Sequence, residues 1–129
     1  MRRIVRDETG SAVVEFTLVG VLLTMLTLAV IQLGLALHVR NTVLDAAAEG
    51  ARFAALADNG PADGVARTEQ LITEAIGADY ASDVRVATGT WMGHPAVTIT
   101  VRTTLPVIGL IGVGGGLEVS GHAAVEQLD

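Results

Sequence analysis

An uncharged apolar run at residues 16–37 constrains this chain more than any other feature of its sequence. As a helix rising about 1.5 Å per residue, the run is roughly 33 Å long, which is enough to cross a bilayer. Three arginines (Arg2, Arg3 and Arg6) precede it, and no comparable basic cluster follows. Because flanking positive charge stays on the cytoplasmic side, we predict a single-pass protein of the cell membrane, surrounded by membrane lipid. Its N-terminus is cytoplasmic and its C-terminal domain is extracytoplasmic.

The amino-acid composition limits the size of the folded part and excludes several classes of function. The chain has 129 residues, of which 50% are hydrophobic and 17% are charged, so it holds one small domain at most and is too apolar for intrinsic disorder. Its net charge is −6, and only four residues are aromatic, which disfavours a nucleic-acid partner. The absence of cysteine excludes disulfides, thiolate metal sites and a catalytic thiol.

A secretory signal peptide is the first alternative to a membrane anchor. Gly34 and Ala36 are small residues that suit a cut before Leu37. However, the apolar run is longer than the 7 to 15 residues or so of a signal-peptide core, and it continues without a turn into another helical pattern. Cleavage at this position is therefore disfavoured.

An acidic residue lies between the basic N-terminal segment and the apolar run, where a charge is energetically unfavourable. Glu15 stands where the run begins, and a carboxylate costs about 2.5 to 3.5 kcal/mol at mid-membrane and less near an end. If the chain is cut after Gly10, the new amine of Ser11 supplies a cation that can pair with a Glu15 in the same helix or in a neighbouring subunit. The alternative is an interfacial glutamate that stays hydrated at the lipid headgroups.

Together these residues resemble a class III signal sequence: a basic leader, Gly10, Ser11, Glu15 at the fifth mature position, Phe16 and an apolar helix. That arrangement is typical of type IV pilin-like proteins. More narrowly, residues 6–57 are similar to the TadE-like family, minor pseudopilins of the tight-adherence (Flp) pilus system.

The resemblance implies cleavage after Gly10 by a prepilin peptidase and residence in the membrane. It also implies a part in pilus assembly or a related secretion apparatus, with other pilin-like subunits and the assembly machinery as partners. Gly10 and Ser11 would form the processing site, and Glu15 and Phe16 would serve assembly.

Beyond the span, small and apolar residues recur at three- and four-residue steps and extend the helix to about residue 58. This seam, which permits close approach of another helix or a sheet, consists of Val39, Val43, Ala47, Gly50, Ala54 and Ala57. Residues 59–61 then stop the helix. We therefore expect a leader at 1–10, a long helix at 11–58 and a small extracytoplasmic domain at 59–129.

That domain is predicted to contain a second helix and a sheet. The helix begins at Pro61 and ends at Gly77, which serves as a left-handed cap. Its apolar face consists of Val65, Leu71, Ile72, Ala75 and Ile76. Alternating residues predict strands at 84–86, 97–101 and 117–125, arranged as a three-stranded antiparallel meander. The fold class is α+β and pilin-like.

Several residues are of types found in catalytic or metal sites, but their spacing does not support such a site. Glu118, Ser120 and His122 carry the residue types of a hydrolase triad, but residues two apart in a strand are about 6.6 Å from each other, too far for direct hydrogen bonds. A solvated sheet face explains them better. The three histidines lack metal-ligand spacing.

The glycines at 112 and 114–116 resemble a phosphate loop in composition, but no lysine follows and no helix opens there, so we expect a flexible connection. The surrounding apolar run at 106–116 is too short to span a bilayer and is expected to be a core loop. We predict no catalytic, cofactor or metal site.

Three functions follow from these patterns. The first is a membrane-anchored minor pseudopilin processed after Gly10. The second is an unprocessed single-pass binding or sensor module, in which Gly10 and Glu15 have no special meaning. The third, a secreted enzyme released after Ala36, has no catalytic group to support it. Their mature chains begin at Ser11, Met1 and Leu37 respectively.

Overall fold

The computed structural model describes the backbone of residues 2–105 and 116–126, and the side chains of these residues from Thr9 onward. It has two compact units, Met1–Gly34 and Leu35–Asp129. The first helix, α1, covers Arg2–Ala55 and therefore contributes to both. The predictions for residues 112, 114 and 115, and for the core loop at 106–115, lie outside the described residues.

The first unit is helical throughout its described length, and from Thr9 onward every residue except Gln32 is exposed. The apolar side chains therefore face outward on all sides of the helix, as they do in a segment surrounded by lipid. Three threonine hydroxyls in this stretch donate to the carbonyl four residues earlier: Thr17 at 2.9 Å, Thr24 at 2.8 Å and Thr27 at 2.8 Å. Because these hydroxyls are satisfied within the helix, they need no partner from an apolar surrounding.

The second unit combines the last turns of α1 with α2 (Pro61–Ile76), a 3-10 turn (Ala78–Ala81) and a sheet. The strands β1 (Asp83–Trp91), β2 (His94–Thr104) and β3 (Gly116–Ala124) form an antiparallel meander in the order β1-β2-β3. The predicted α+β class, second helix and three-stranded antiparallel sheet are confirmed. Gly116, expected in a flexible connection, is instead the first residue of β3.

The core of the second unit lies between the helices and one face of the sheet. The seam of α1 is buried at Val39, Val43, Ala47, Gly50 and Ala54. The helix ends at Ala55 and not at about residue 58, so the half-buried Ala57 lies in the turn that follows it. The sheet contributes Val97, Ile99 and Val101 from β2 and Val119 from β3, and α2 contributes Ile72. The small seam residues let the sheet approach closely: a Cβ added at Gly121 of β3 would lie 2.5 Å from the Ala48 backbone nitrogen.

The buried face of α2 differs from the predicted one. Ile72 is buried as expected, but Ala75 is exposed, and the other two buried residues are Gly64 and Thr68. Gly64 faces α1 so closely that an added Cβ would lie 2.5 Å from the Ala54 Cβ. The helix thus packs on α1 through small and polar residues, which an apolar pattern does not identify.

The ends of the helices are fixed by local hydrogen bonds. The Asn59 side-chain amide donates to the Phe53 carbonyl at 2.9 Å, and the Gly60 N–H donates to the Asp63 carboxylate at 2.7 Å. Gly77 ends α2 with φ 112°, which favours glycine. The prediction of a left-handed helical cap was wrong, because ψ is 156° and the backbone is extended away from the helix.

The β1–β2 hairpin is longer than its predicted strands. The two strands pair without interruption from Asp83↔Arg102 to Trp91↔His94, and they are joined by Met92 and Gly93. Both turn residues have positive φ, 52° and 82°, as a type I′ hairpin turn requires. Near the same end of β2, Val125, which follows β3, donates its N–H to the Pro95 carbonyl at 2.9 Å.

Candidate processing and assembly site

The residues that the sequence assigned to processing and assembly lie together on α1. Gly10, Ser11, Glu15 and Phe16 are all exposed, and Phe16 is 81% exposed. Ser11 and Glu15 are four residues apart and therefore occupy the same face of the helix on successive turns. The helix thus presents a short polar stretch immediately before a wholly apolar surface.

The Glu15 carboxylate is not paired within this part of the chain. Among the side chains that the structure describes, none forms an ion pair or a hydrogen bond with it. An unpaired carboxylate beside an apolar surface is stable only if water or a cation from outside the described side chains reaches it. The position is suited to receive a cation from another chain or from a new N-terminus.

Gly10 has no packing reason to lack a side chain. A Cβ added there would meet no atom within 4 Å, whereas added Cβ atoms at Gly50, Gly64 and Gly121 would collide with their neighbours. A glycine inside a helix costs about 0.5–1 kcal/mol relative to alanine. The second-unit glycines offset that cost by permitting close packing, but nothing in the described chain does so for Gly10.

The second unit carries a shallow groove between α1 and α2 that the sequence did not predict. Its volume is about 440 Å³, and its lining residues are Thr42, Asp45, Ala46, Glu49, Arg52, Leu71 and Ala75. Arg52 is exposed and Glu49 is half-buried, and the two, three residues apart on α1, pair at 3.5 Å. The apolar pattern did not predict this groove, because Ala75, which lines it, was expected on the buried face of α2 but is exposed.

The outward face of the sheet is the one that carries Thr98, Thr100 and Arg102. There Glu118 pairs with Arg102 at 3.0 Å, Ser120 hydrogen-bonds Thr100 at 3.0 Å, and His122 Nδ1 hydrogen-bonds Thr98 at 2.8 Å. Each triad-like residue therefore binds across to β2 rather than to the next residue of the supposed triad. The arrangement stabilises the strand pair and assembles no nucleophile with a base.

The alternation of residues in the sequence did not predict one contact on this face. Trp91, at the end of β1, stacks on His122 with ring centroids 4.9 Å apart and planes inclined by 2°. The contact depends on the register of all three strands, which alternation alone does not fix. Among the side chains of residues 9–105 and 116–126, no cluster of three metal-ligating groups is found.

A long apolar N-terminal helix followed by a second helix and a three-stranded antiparallel sheet defines the pilin-like class of α+β proteins. The family model described as TadE-like protein matches residues 10–52. The match covers about a third of the chain, from Gly10 to Arg52, and confirms the predicted resemblance to this family over that segment. Neither a curated protein nor a solved structure matches the chain.

Proposed function

We propose that this protein is a membrane-anchored minor pseudopilin that takes part in assembly of a tight-adherence (Flp) pilus or a related secretion apparatus. A prepilin peptidase removes the leader 1–10 by cutting after Gly10. The segment 11–58, which holds most of α1, anchors the chain through a span at about 16–37 and contacts other pilin-like subunits, while the domain 59–129 is extracytoplasmic. In this role the protein is a structural subunit and not an enzyme.

One observation carries the proposal: the Glu15 carboxylate, unpaired among the described side chains, directly precedes a stretch of α1 whose apolar side chains are exposed on every side. This combination falls within the segment that matches the TadE-like family. The helix is long and apolar enough to cross a membrane. Lipid or neighbouring helices are the surroundings in which such a surface is stable.

The energetics favour a role for Glu15 in bringing helices together. A charge near the apolar phase is costly unless it is paired, and cutting after Gly10 creates the Ser11 amine as a cation. A neighbouring subunit that brings this amine to Glu15 removes the cost for both groups. Pairing within one helix, four residues apart, relieves part of the same cost without a neighbour.

Glu15→Gln tests this role because it keeps the size of the side chain and removes its charge. The chain has no cysteine, so Leu22→Cys, at a position 65% exposed on the helix, provides a unique site for crosslinking to pilin-like partners in the membrane. We expect cleavage and insertion to persist and crosslinking to fall by about ten-fold, which corresponds to about 1.4 kcal/mol.

Glu69→Gln is the matched control, since Glu69 is an exposed carboxylate on α2 and the substitution removes the same charge. It should leave crosslinking unchanged. A mild loss in Glu15→Gln would indicate pairing within one helix. Equal crosslinking of Glu15→Gln and the unsubstituted chain, at equal abundance in the membrane, would contradict the assembly role.

A further inference from the structure

The peptide bond between Gly10 and Ser11 lies inside a continuous helix. α1 begins at Arg2, so more than two helical turns precede this bond. In an α-helix the Gly10 carbonyl accepts the Val14 N–H, and the Ser11 N–H donates to the Asp7 carbonyl. A peptidase must reach the carbonyl carbon of Gly10 and bind its oxygen as charge develops there. Both helical hydrogen bonds must therefore open before the bond is cut.

The residues around this bond hold a helix poorly. Residues 9–14 read Thr-Gly-Ser-Ala-Val-Val, in which Ala12 alone is a strong helix former. Glycine has the greatest backbone freedom to lose, and the two valines lose side-chain freedom against the preceding turn. Both effects lower the free energy needed to unwind this turn relative to an alanine-rich one.

Side-chain packing does not hold the turn closed, although the Thr17 hydroxyl donates to the Val13 carbonyl at 2.9 Å. Residues 10–16 are exposed, and a Cβ at Gly10 would touch nothing within 4 Å, so unwinding disrupts no packing of these side chains. The turn also lies before the apolar run, which begins at Phe16. Water at the membrane surface can therefore hydrate the freed backbone groups, which is not possible deeper in the bilayer.

We infer that residues 9–14 form a turn of α1 that unwinds before cleavage, so that the local helix stability sets the rate of processing. This inference rests on the proposed cleavage after Gly10 and adds to it a determinant separate from leader recognition. Substitutions on the mature side of the bond that strengthen the helix should slow cleavage, and substitutions that weaken it should accelerate cleavage.

The experiment follows cleavage of the full-length chain in proteoliposomes with a purified prepilin peptidase, measuring the fraction of mature product over time. The double variant Val13→Ala/Val14→Ala raises helix propensity in the turn, and we expect it to be cut about five-fold more slowly. Adding Ala12→Gly to that variant should restore the rate, although it restores neither valine. The rescue separates helix stability from recognition of the valine side chains.

The matched control is Val19→Ala/Val21→Ala, which makes the same change at exposed positions of the same helix, beyond the turn. It should be cut at the original rate. If the unsubstituted chain is cut and all variants match its rate, or if Ala12→Gly slows cleavage further, the inference is wrong while the proposed processing stands. If the unsubstituted chain is not cut at all, the proposed processing itself fails.

Discussion

Glycine serves two different purposes in this chain, and the surroundings of each residue separate them. Gly50 and Gly64 let α1 and α2 cross closely, since a Cβ at Gly50 would lie 2.8 Å from the Gly64 carbonyl oxygen. Gly121 likewise places β3 against the backbone of α1. Gly10 has no such neighbour, so close packing within the described chain does not account for it; the proposed cleavage would give it a role.

Gly121→Ala tests the packing role of these glycines. The added methyl group would lie 2.5 Å from the Ala48 nitrogen and 2.6 Å from the Ala47 carbonyl carbon, and both are backbone atoms that cannot rotate away. We expect the free energy of unfolding to fall by about 1–3 kcal/mol. Urea unfolding of the full chain in detergent micelles, followed by fluorescence of its single tryptophan, measures this change.

Gly89→Ala provides the control, because Gly89 lies in strand β1 and an added Cβ there meets nothing within 4 Å. Its φ is not positive, so alanine should be neutral or stabilising by up to about 1 kcal/mol. Equal unfolding midpoints for the two variants would show that β3 does not approach α1 as closely as described.

The helix α1 behaves differently along its length. From Thr9 to Gly34 nearly every residue is exposed, whereas from Val39 to Ala55 a seam of small and apolar residues is buried under the sheet and α2. The C-terminal segment secures the end of this helix, because the Glu126 N–H donates to the Ala55 carbonyl at 2.8 Å and the Glu126 carboxylate accepts the Ala57 N–H at 3.2 Å. One continuous element thus supplies both the apolar anchor and part of the core of the second unit.

The elements themselves were largely predictable from periodicity, because a seam with a 3.6-residue period and strands with a two-residue period leave clear patterns. The apolar run, the seam at Val43 and Ala47, and the alternation at Val97, Ile99 and Val101 were all identified in this way. The burial of Gly64 and Thr68 was not, since it depends on how closely α2 approaches α1. Thr68 is satisfied there by donating its hydroxyl to the Gly64 carbonyl at 2.8 Å.

The candidate processing and assembly site was predictable from the sequence, whereas one contact on the outward face of the sheet was not. The spacing of Gly10, Ser11 and Glu15 is contained in the sequence, and the helix places Ser11 and Glu15 on one face. The contact between Trp91 and His122 was not predictable, because it requires the hairpin to continue beyond its apolar residues. Alternation gives the face of a residue but not the length over which two strands pair.

The β1–β2 turn provides a prediction at the level of elements. Met92 adopts φ 52° while 80% exposed, and asparagine tolerates this conformation better than an unbranched apolar residue. Met92→Asn should therefore raise the free energy of unfolding by about 0.5–1 kcal/mol. Gly93→Ala, at φ 82°, should instead lower it by about 1 kcal/mol or more. Thermal unfolding of the full chain in detergent measures both, and a destabilised Met92→Asn chain would contradict the described turn.

The whole chain of 129 residues combines an exposed apolar helical unit with a unit that has its own core. One unit exposes an apolar helical surface that only lipid or other helices can cover, and the other has its own buried core of helix and sheet. The proposed function connects them: the anchor is retained in the membrane and packs with pilin-like subunits, while the α+β domain is presented outside. In that proposal, removal of the basic leader is the step that commits the chain to this role.

The N-terminal residue of the membrane-bound protein in its native cell therefore tests the central proposal most directly. Purification from the membrane fraction followed by N-terminal sequencing and intact mass measurement identifies it. The proposed pseudopilin begins at Ser11 and retains the apolar span. A chain that begins at Met1 would contradict processing and support an unprocessed anchored module, and a chain that begins at Leu37 would show that the span is removed as a signal peptide.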